Sequence, residues 1–147
     1  EGSRARRTKD TTDNYWAVCL ADLGTTTSWC IHIVQSKSMD LALGIITGSQ
    51  AKRISYCKGS AKGKEIGELV LLDSLGCGGS CLRDAISGKK FPVKAGDVIQ
   101  FDLDLFNLEL HCSMNENKFV WSIDSLKPQD KYYACMFALL GDSVEIL

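Results

Sequence analysis

The chain has 147 residues, 45% of them apolar, and a formal net charge of −1. That length and apolar content suffice for the core of one compact domain, and the near-neutral balance argues against a nucleic-acid binder, which normally carries a basic face. No apolar run is long enough to span a bilayer and no secretory leader opens the chain; with no initiating Met either, the expectation is a domain excised from a larger protein.

In chain order, residues 1–14 are polar and hold Arg4, Arg6, Arg7 and Lys9. They read as a flexible leader ahead of a domain spanning 15–147, rather than as a patch for an acidic partner. Trp16, Val18 and Leu20 alternate with small or polar residues, which is the period of a strand. Asp22–Ser28 follows as a small polar loop. Trp29, Ile31 and Ile33 alternate again, as do Leu41, Leu43 and Ile45, so a hairpin is expected here. Gly48–Lys52 reads as a loop, Ile54–Cys57 as a short strand with Tyr56 near its end, Lys58–Gly67 as a mobile turn, and Glu68–Leu72 as another strand. Ser74–Ser87 has no clear period.

The most regular stretch runs from Phe91 to Ile123. Lys94-Ala95-Gly96-Asp97 is a turn in which Gly96 can take a positive φ. Ile99, Phe101, Leu103 and Leu105 then alternate with Gln100, Asp102 and Asp104. Leu108, Leu110, Cys112 and Met114 continue the period, Asn115–Lys118 reverses the chain, and Phe119, Trp121 and Ile123 return. This predicts a three-stranded antiparallel meander with one apolar face. Tyr133, Cys135, Phe137 and Leu139, a Gly141-Asp142 turn, and Val144 and Ile146 close the chain. Roughly ten short strands and no amphipathic helix predict an all-β fold, an antiparallel sandwich of two sheets.

The chemical inventory is sparse. The two histidines, His32 and His111, sit between apolar neighbours on expected strands, His111 on the face of Glu109 and Ser113. An odd count of seven cysteines leaves at least one unpaired. Cys19, Cys30, Cys112 and Cys135 lie in strand-like runs, where Cys behaves as a small apolar residue. With no Asn-X-Ser/Thr sequon, this favours a reducing intracellular compartment, the cytoplasm. Cys77-x3-Cys81 has the spacing of half a zinc site but no second pair of ligands, and two free thiols are expected there rather than a disulfide. Asp102 and Asp104 share the polar face of one strand, as a solvated outer face requires. Gly76-x-Gly78-Gly79 is too short for a phosphate loop, with no helix to follow. No catalytic residue, metal ligand set or cofactor site emerges.

The order Gly96-Asp97-Val98-Ile99, Leu103-Asp104, the apolar strand Leu108–Ser113, Asn115 and the closing pair Tyr132–Ile146 resembles the core of SPRY domains. So does the Trp29 strand followed by Leu43-Gly44-Ile45. Asn115-Glu116 departs from the family's Asn-Gly, so a turn longer than two residues is expected, with Asn117 supplying the left-handed residue. The resemblance implies a non-catalytic protein-interaction module that binds a peptide or a folded partner, within a larger signalling, ubiquitin-ligase or channel protein. By position its contact surface would include Asp22, Thr25, Thr26, Gln50, Tyr56, Leu140 and Gly141. The alternatives are a carbohydrate-binding or enzymatic sandwich, and a structural domain whose edge strand Val144–Leu147 pairs with another chain.

Overall fold

A computed structural model describes residues 3–6, 17–35, 41–50, 70–73, 77, 81–138 and 143–146. Among the described residues are twelve strands: β1 (Ser3–Arg6), β2 (Ala17–Asp22), β3 (Ser28–Gln35), β4 (Leu41–Thr47), β5 (Val70–Asp73), β6 (Cys81–Asp84), β7 (Lys90–Pro92), β8 (Val98–Asp104), β9 (Glu109–Met114), β10 (Asn117–Ser122), β11 (Tyr132–Ala138) and β12 (Ser143–Ile146). They form two antiparallel sheets, ordered β1-β12-β3-β8-β9-β10 and β2-β11-β4-β5-β6-β7.

The alternation read from the sequence is the alternation of burial. On β8, Ile99, Phe101 and Leu103 are buried while Val98, Gln100, Asp102 and Asp104 face outward. β9 and β10 continue the pattern with Leu110, Cys112, Met114, Phe119 and Trp121 inward. These side chains meet Leu43, Ile45, Leu82, Phe91 and Tyr132 of the second sheet in one core. Within it Trp29 stacks on Phe101, with ring centroids 5.3 Å apart and planes at 9°. β4 is buried on both faces, since Ala42 and Ile46 are covered as well as Leu43 and Ile45.

Several sequence expectations are corrected. β3 and β4 are not a hairpin: β3 pairs with β8 and β12, and β4 pairs with β11 and β5. Consecutive strands thus enter different sheets. The β9–β10 reversal is a two-residue turn, because Met114 pairs directly with Asn117. Asn115, not Asn117, takes the left-handed φ of 52°, a region Asn tolerates better than most residues. Ser3–Arg6, within the stretch read as a flexible leader, is a strand on β12. β12 itself lies between β1 and β3, so it offers no edge for another chain to extend. The irregular 74–87 stretch contains β6. At its start Cys77 and Cys81 are joined in a disulfide, with Cα atoms 5.3 Å apart, where free thiols were expected.

Gly96 carries the turn from β7 into β8. Its φ is +95°, its N–H donates to the Ile33 carbonyl at 2.7 Å, and Asp97 N–H closes the turn on the Lys94 carbonyl at 3.1 Å. A Cβ here would meet nothing within 4 Å, so the only cost of a side chain is backbone strain. Gly96→Ala is therefore expected to lower stability by about 1–2 kcal/mol, measured as a shift in the urea midpoint. An unchanged midpoint would mean the turn does not hold this conformation.

Candidate binding end of the sandwich

Strand register sorts the connections to two ends. Ser28 pairs with Asp102, Asp104 with Glu109, and Glu109 with Ser122. Asp22 pairs with Tyr133 and Tyr132 with Thr47. One end therefore gathers the loop 23–27, the helical residues 48–50 that follow β4, the β6–β7 turn 85–88, the β8–β9 turn 105–108 and the connection 123–131. Of the residues expected to bind a partner, Asp22, Thr25, Thr26 and Gln50 all lie at this end. Tyr56, Leu140 and Gly141 lie outside the described residues; Ala138 and Ser143, which flank the last two, are at the opposite end.

Lys131 holds this end together. Its carbonyl accepts the Gly48 N–H at 2.9 Å, its Nζ is 2.5 Å from Asp22 Oδ2, and the same ammonium stands 5.4 Å from the centre of the Tyr133 ring. Asp22 Oδ1 also accepts the Gly24 N–H at 2.9 Å. The bond from Lys131, then that from Gly24, holds the Asp22 carboxyl below its ordinary range. Asp22 is thus exposed yet engaged in shaping its loop. Gln50 is engaged as well, its Oε1 accepting from Thr47 N at 2.9 Å and Thr47 Oγ1 at 3.2 Å. Thr25 and Thr26 are exposed at the loop tip, and Thr26 N–H closes that tip on the Leu23 carbonyl at 2.7 Å.

Two residues that the sequence reading passed over complete the end. Asp84, the last residue of β6, is buried and reaches across to the other sheet, accepting from Trp121 Nε1 at 3.0 Å. Its carboxylate also accepts from Ile86 N at 2.9 Å and Ser87 Oγ at 2.6 Å. Burial pushes its pKa up, but the bonds from Ser87, Trp121 and Ile86 outweigh it and the net shift is downward. One carboxylate thereby fixes the turn that displays Ile86 and ties the sheets together. The sequence did carry a signal: Leu82-x-Asp84 points two side chains the same way, and Asp84-Ala-Ile-Ser has the form of a side-chain-capped turn. Phe106 is the other residue. It stands at the tip of the β8–β9 turn and is 94% exposed. Asp104 fixes that turn, accepting from Phe106 N and Asn107 N at 2.9 Å each and from Asn107 Nδ2 at 2.7 Å.

Among the described residues, this end offers surfaces for contact and hydrogen bonding. Asp104, Glu109 and His111 bring potential ligand atoms within 4.8 Å of one another; both Asp104 oxygens accept bonds within its turn, and His111 Nε2 is 3.0 Å from Glu109 Oε2. Burial pushes the Cys112 thiol up to about 12 and raises that of Cys135 further, so neither is a ready nucleophile. Among the described residues no helix is long and apolar enough to cross a membrane.

This architecture is that of SPRY domains. A crystal structure of a human SPRY domain superposes with a TM-score of 0.56 at 10% identity, over 98% of this chain and 96% of that one. The SPRY domain of human HERC1 is also similar, with a TM-score of 0.44 at 14% identity, over 88% of this chain and 77% of that one. No protein-family model and no curated protein matches the chain. At this identity the likeness defines the fold, a distant SPRY-like sandwich.

Proposed function

We propose that the chain is a non-catalytic protein-interaction module that recognises a peptide or a folded partner through the loops at one end of its sandwich. The observation that carries this reading is the end itself. Short loops on a rigid two-sheet core are pinned by Lys131, Asp84 and Asp104, while Thr25, Thr26, Ile86 and Phe106 stand exposed. A surface ordered before contact loses little entropy on binding, which favours recognition. Asp22 and Gln50 shape this surface, and Thr25 and Thr26 touch the partner. The SPRY fold supports the same reading by analogy, as it does a place within a larger signalling, ubiquitin-ligase or channel protein.

The test is cross-linking and pull-down with the full chain as bait, set beside a Thr25→Arg/Thr26→Arg variant. These side chains are exposed, so the melting temperature is expected to stay within a degree or two of the parent. Affinity for the retained partner is expected to fall by about tenfold or more. A partner bound equally by both proteins would remove the loop from the site.

A further inference from the structure

We propose that the Phe106 end of the first sheet's outer face docks a basic protein segment, one carrying a Lys or Arg beside an apolar side chain. This rests on the interaction-module reading and specifies the partner's chemistry.

Three observations meet there. The first is Phe106, a large apolar ring almost wholly in water. Asp104 holds its turn by three hydrogen bonds, and the flanking Leu105 and Leu108 pack on the core. The ring is therefore presented on a fixed mount, which is how an interface anchor is built. The second is charge. On the half of this face nearest Phe106, Asp102, Asp104 and Glu109 are half-buried on adjacent strands, and Asp124 follows just beyond β10. Among the described residues of that half-face there is no Lys or Arg; Lys118, the nearest on β10, pairs with Ser113 toward the far end. The third is register. Asp104 and Glu109 are direct cross-strand partners, and like charges so placed oppose folding. His111 Nε2 lies 3.0 Å from Glu109 Oε2, and an incoming ammonium or guanidinium relieves the repulsion. The face also runs on into the loop end, because Ser28 Oγ is 2.5 Å from Asp102 Oδ1 and Leu103 N–H donates to the Thr27 carbonyl at 2.7 Å.

The carboxylates also decide the class of occupant. A membrane surface is anionic and would be repelled by them. A second copy would bring its own carboxylates against these. A basic segment gains on both counts, the charge steering its approach and the ring anchoring it.

The experiment is selection of random phage-displayed short peptides on the full chain, followed by anisotropy with the fluorescein-labelled winners at low and high salt. The expected consensus places Lys or Arg next to an aromatic or aliphatic residue, and binding weakens as salt rises. Phe106→Ser should weaken it by roughly tenfold or more and Glu109→Gln by a smaller factor, with melting temperature unchanged for Phe106→Ser. Winners without basic residues, insensitive to Phe106→Ser but lost in the Thr25→Arg/Thr26→Arg variant, would overturn this inference and leave the module reading standing. Enrichment of no peptide would also overturn it, while leaving open recognition of a folded partner through the loops. Self-association in sedimentation velocity, or flotation with phosphatidylserine vesicles, either one abolished by Phe106→Ser, would assign the face to a second copy or a lipid surface and overturn it too.

Discussion

Replacing Asp84 with Ala is expected to destabilise the domain by about 3 kcal/mol. The substitution leaves Trp121 Nε1 unmet in the interior and frees Ile86 N and Ser87 Oγ at the exposed turn, and an unmet buried donor costs more than a lost bond between exposed groups. The effect carries a pH signature. Hydrogen bonds hold the folded pKa of Asp84 below its ordinary value near 4. A depressed folded pKa means that the carboxylate stabilises the fold fully above the unfolded pKa, and that this contribution is lost as pH falls through the folded one. The gap between the parent and Asp84→Asn, which keeps the shape without the charge, should therefore be widest at neutral pH and narrow below about pH 4. Urea unfolding followed by tryptophan fluorescence across that range measures it. A gap that stays constant with pH would show that the charge is not what Trp121 and the 85–88 turn rely on.

The contrast between Asp84 and the meander shows what a single sequence reveals. β8, β9 and β10 were legible because long period-two alternation leaves only one face able to bury itself, and Gly96 marked the turn before them. β6 was not legible: it is four residues long, and one of its two inward positions is a carboxylate, which alternation counts as outward. Burial of that carboxylate depends on Trp121, thirty-seven residues further on. The β3–β4 hairpin was misread for a related reason. Alternation identifies strands, but the partner of an inner strand is set by the whole core rather than by the next segment of chain. At the candidate site, loop positions such as Asp22, Thr25, Thr26 and Gln50 could be located, but their roles could not be separated. Gln50 bonds Thr47 rather than facing outward freely. Phe106 looked like one more apolar residue until the Asp104 cap turned it into solvent.

Phe101→Ala is expected to be the most damaging single change in the described core, at about 4 kcal/mol. Phe101 is fully buried on β8, an inner strand whose Phe101 pairs with Trp29 on one side and Cys112 on the other. Truncation removes the ring's burial, opens a cavity and ends the stack on Trp29, and each of these adds to the loss. One local feature works the other way. Among the described residues Trp29 Nε1 is buried without a hydrogen-bond partner, and a buried donor left unmet carries a penalty. A cavity beside it that admits water would meet that donor and recover part of the loss. The pair of variants separates the two terms. Trp29→Phe removes the orphaned donor and keeps an aromatic ring against Phe101, so it should cost less than about 1.5 kcal/mol, far below Phe101→Ala. Chemical denaturation of both, with the slope checked for two-state unfolding, decides the matter. Equal losses would mean that the Trp29 donor is satisfied in solution and that ring volume alone sets the cost. A loss near zero for Phe101→Ala would remove the stacked pair from the centre of the core and, with it, the rigid strand on which Asp102, Asp104 and the Phe106 turn are mounted.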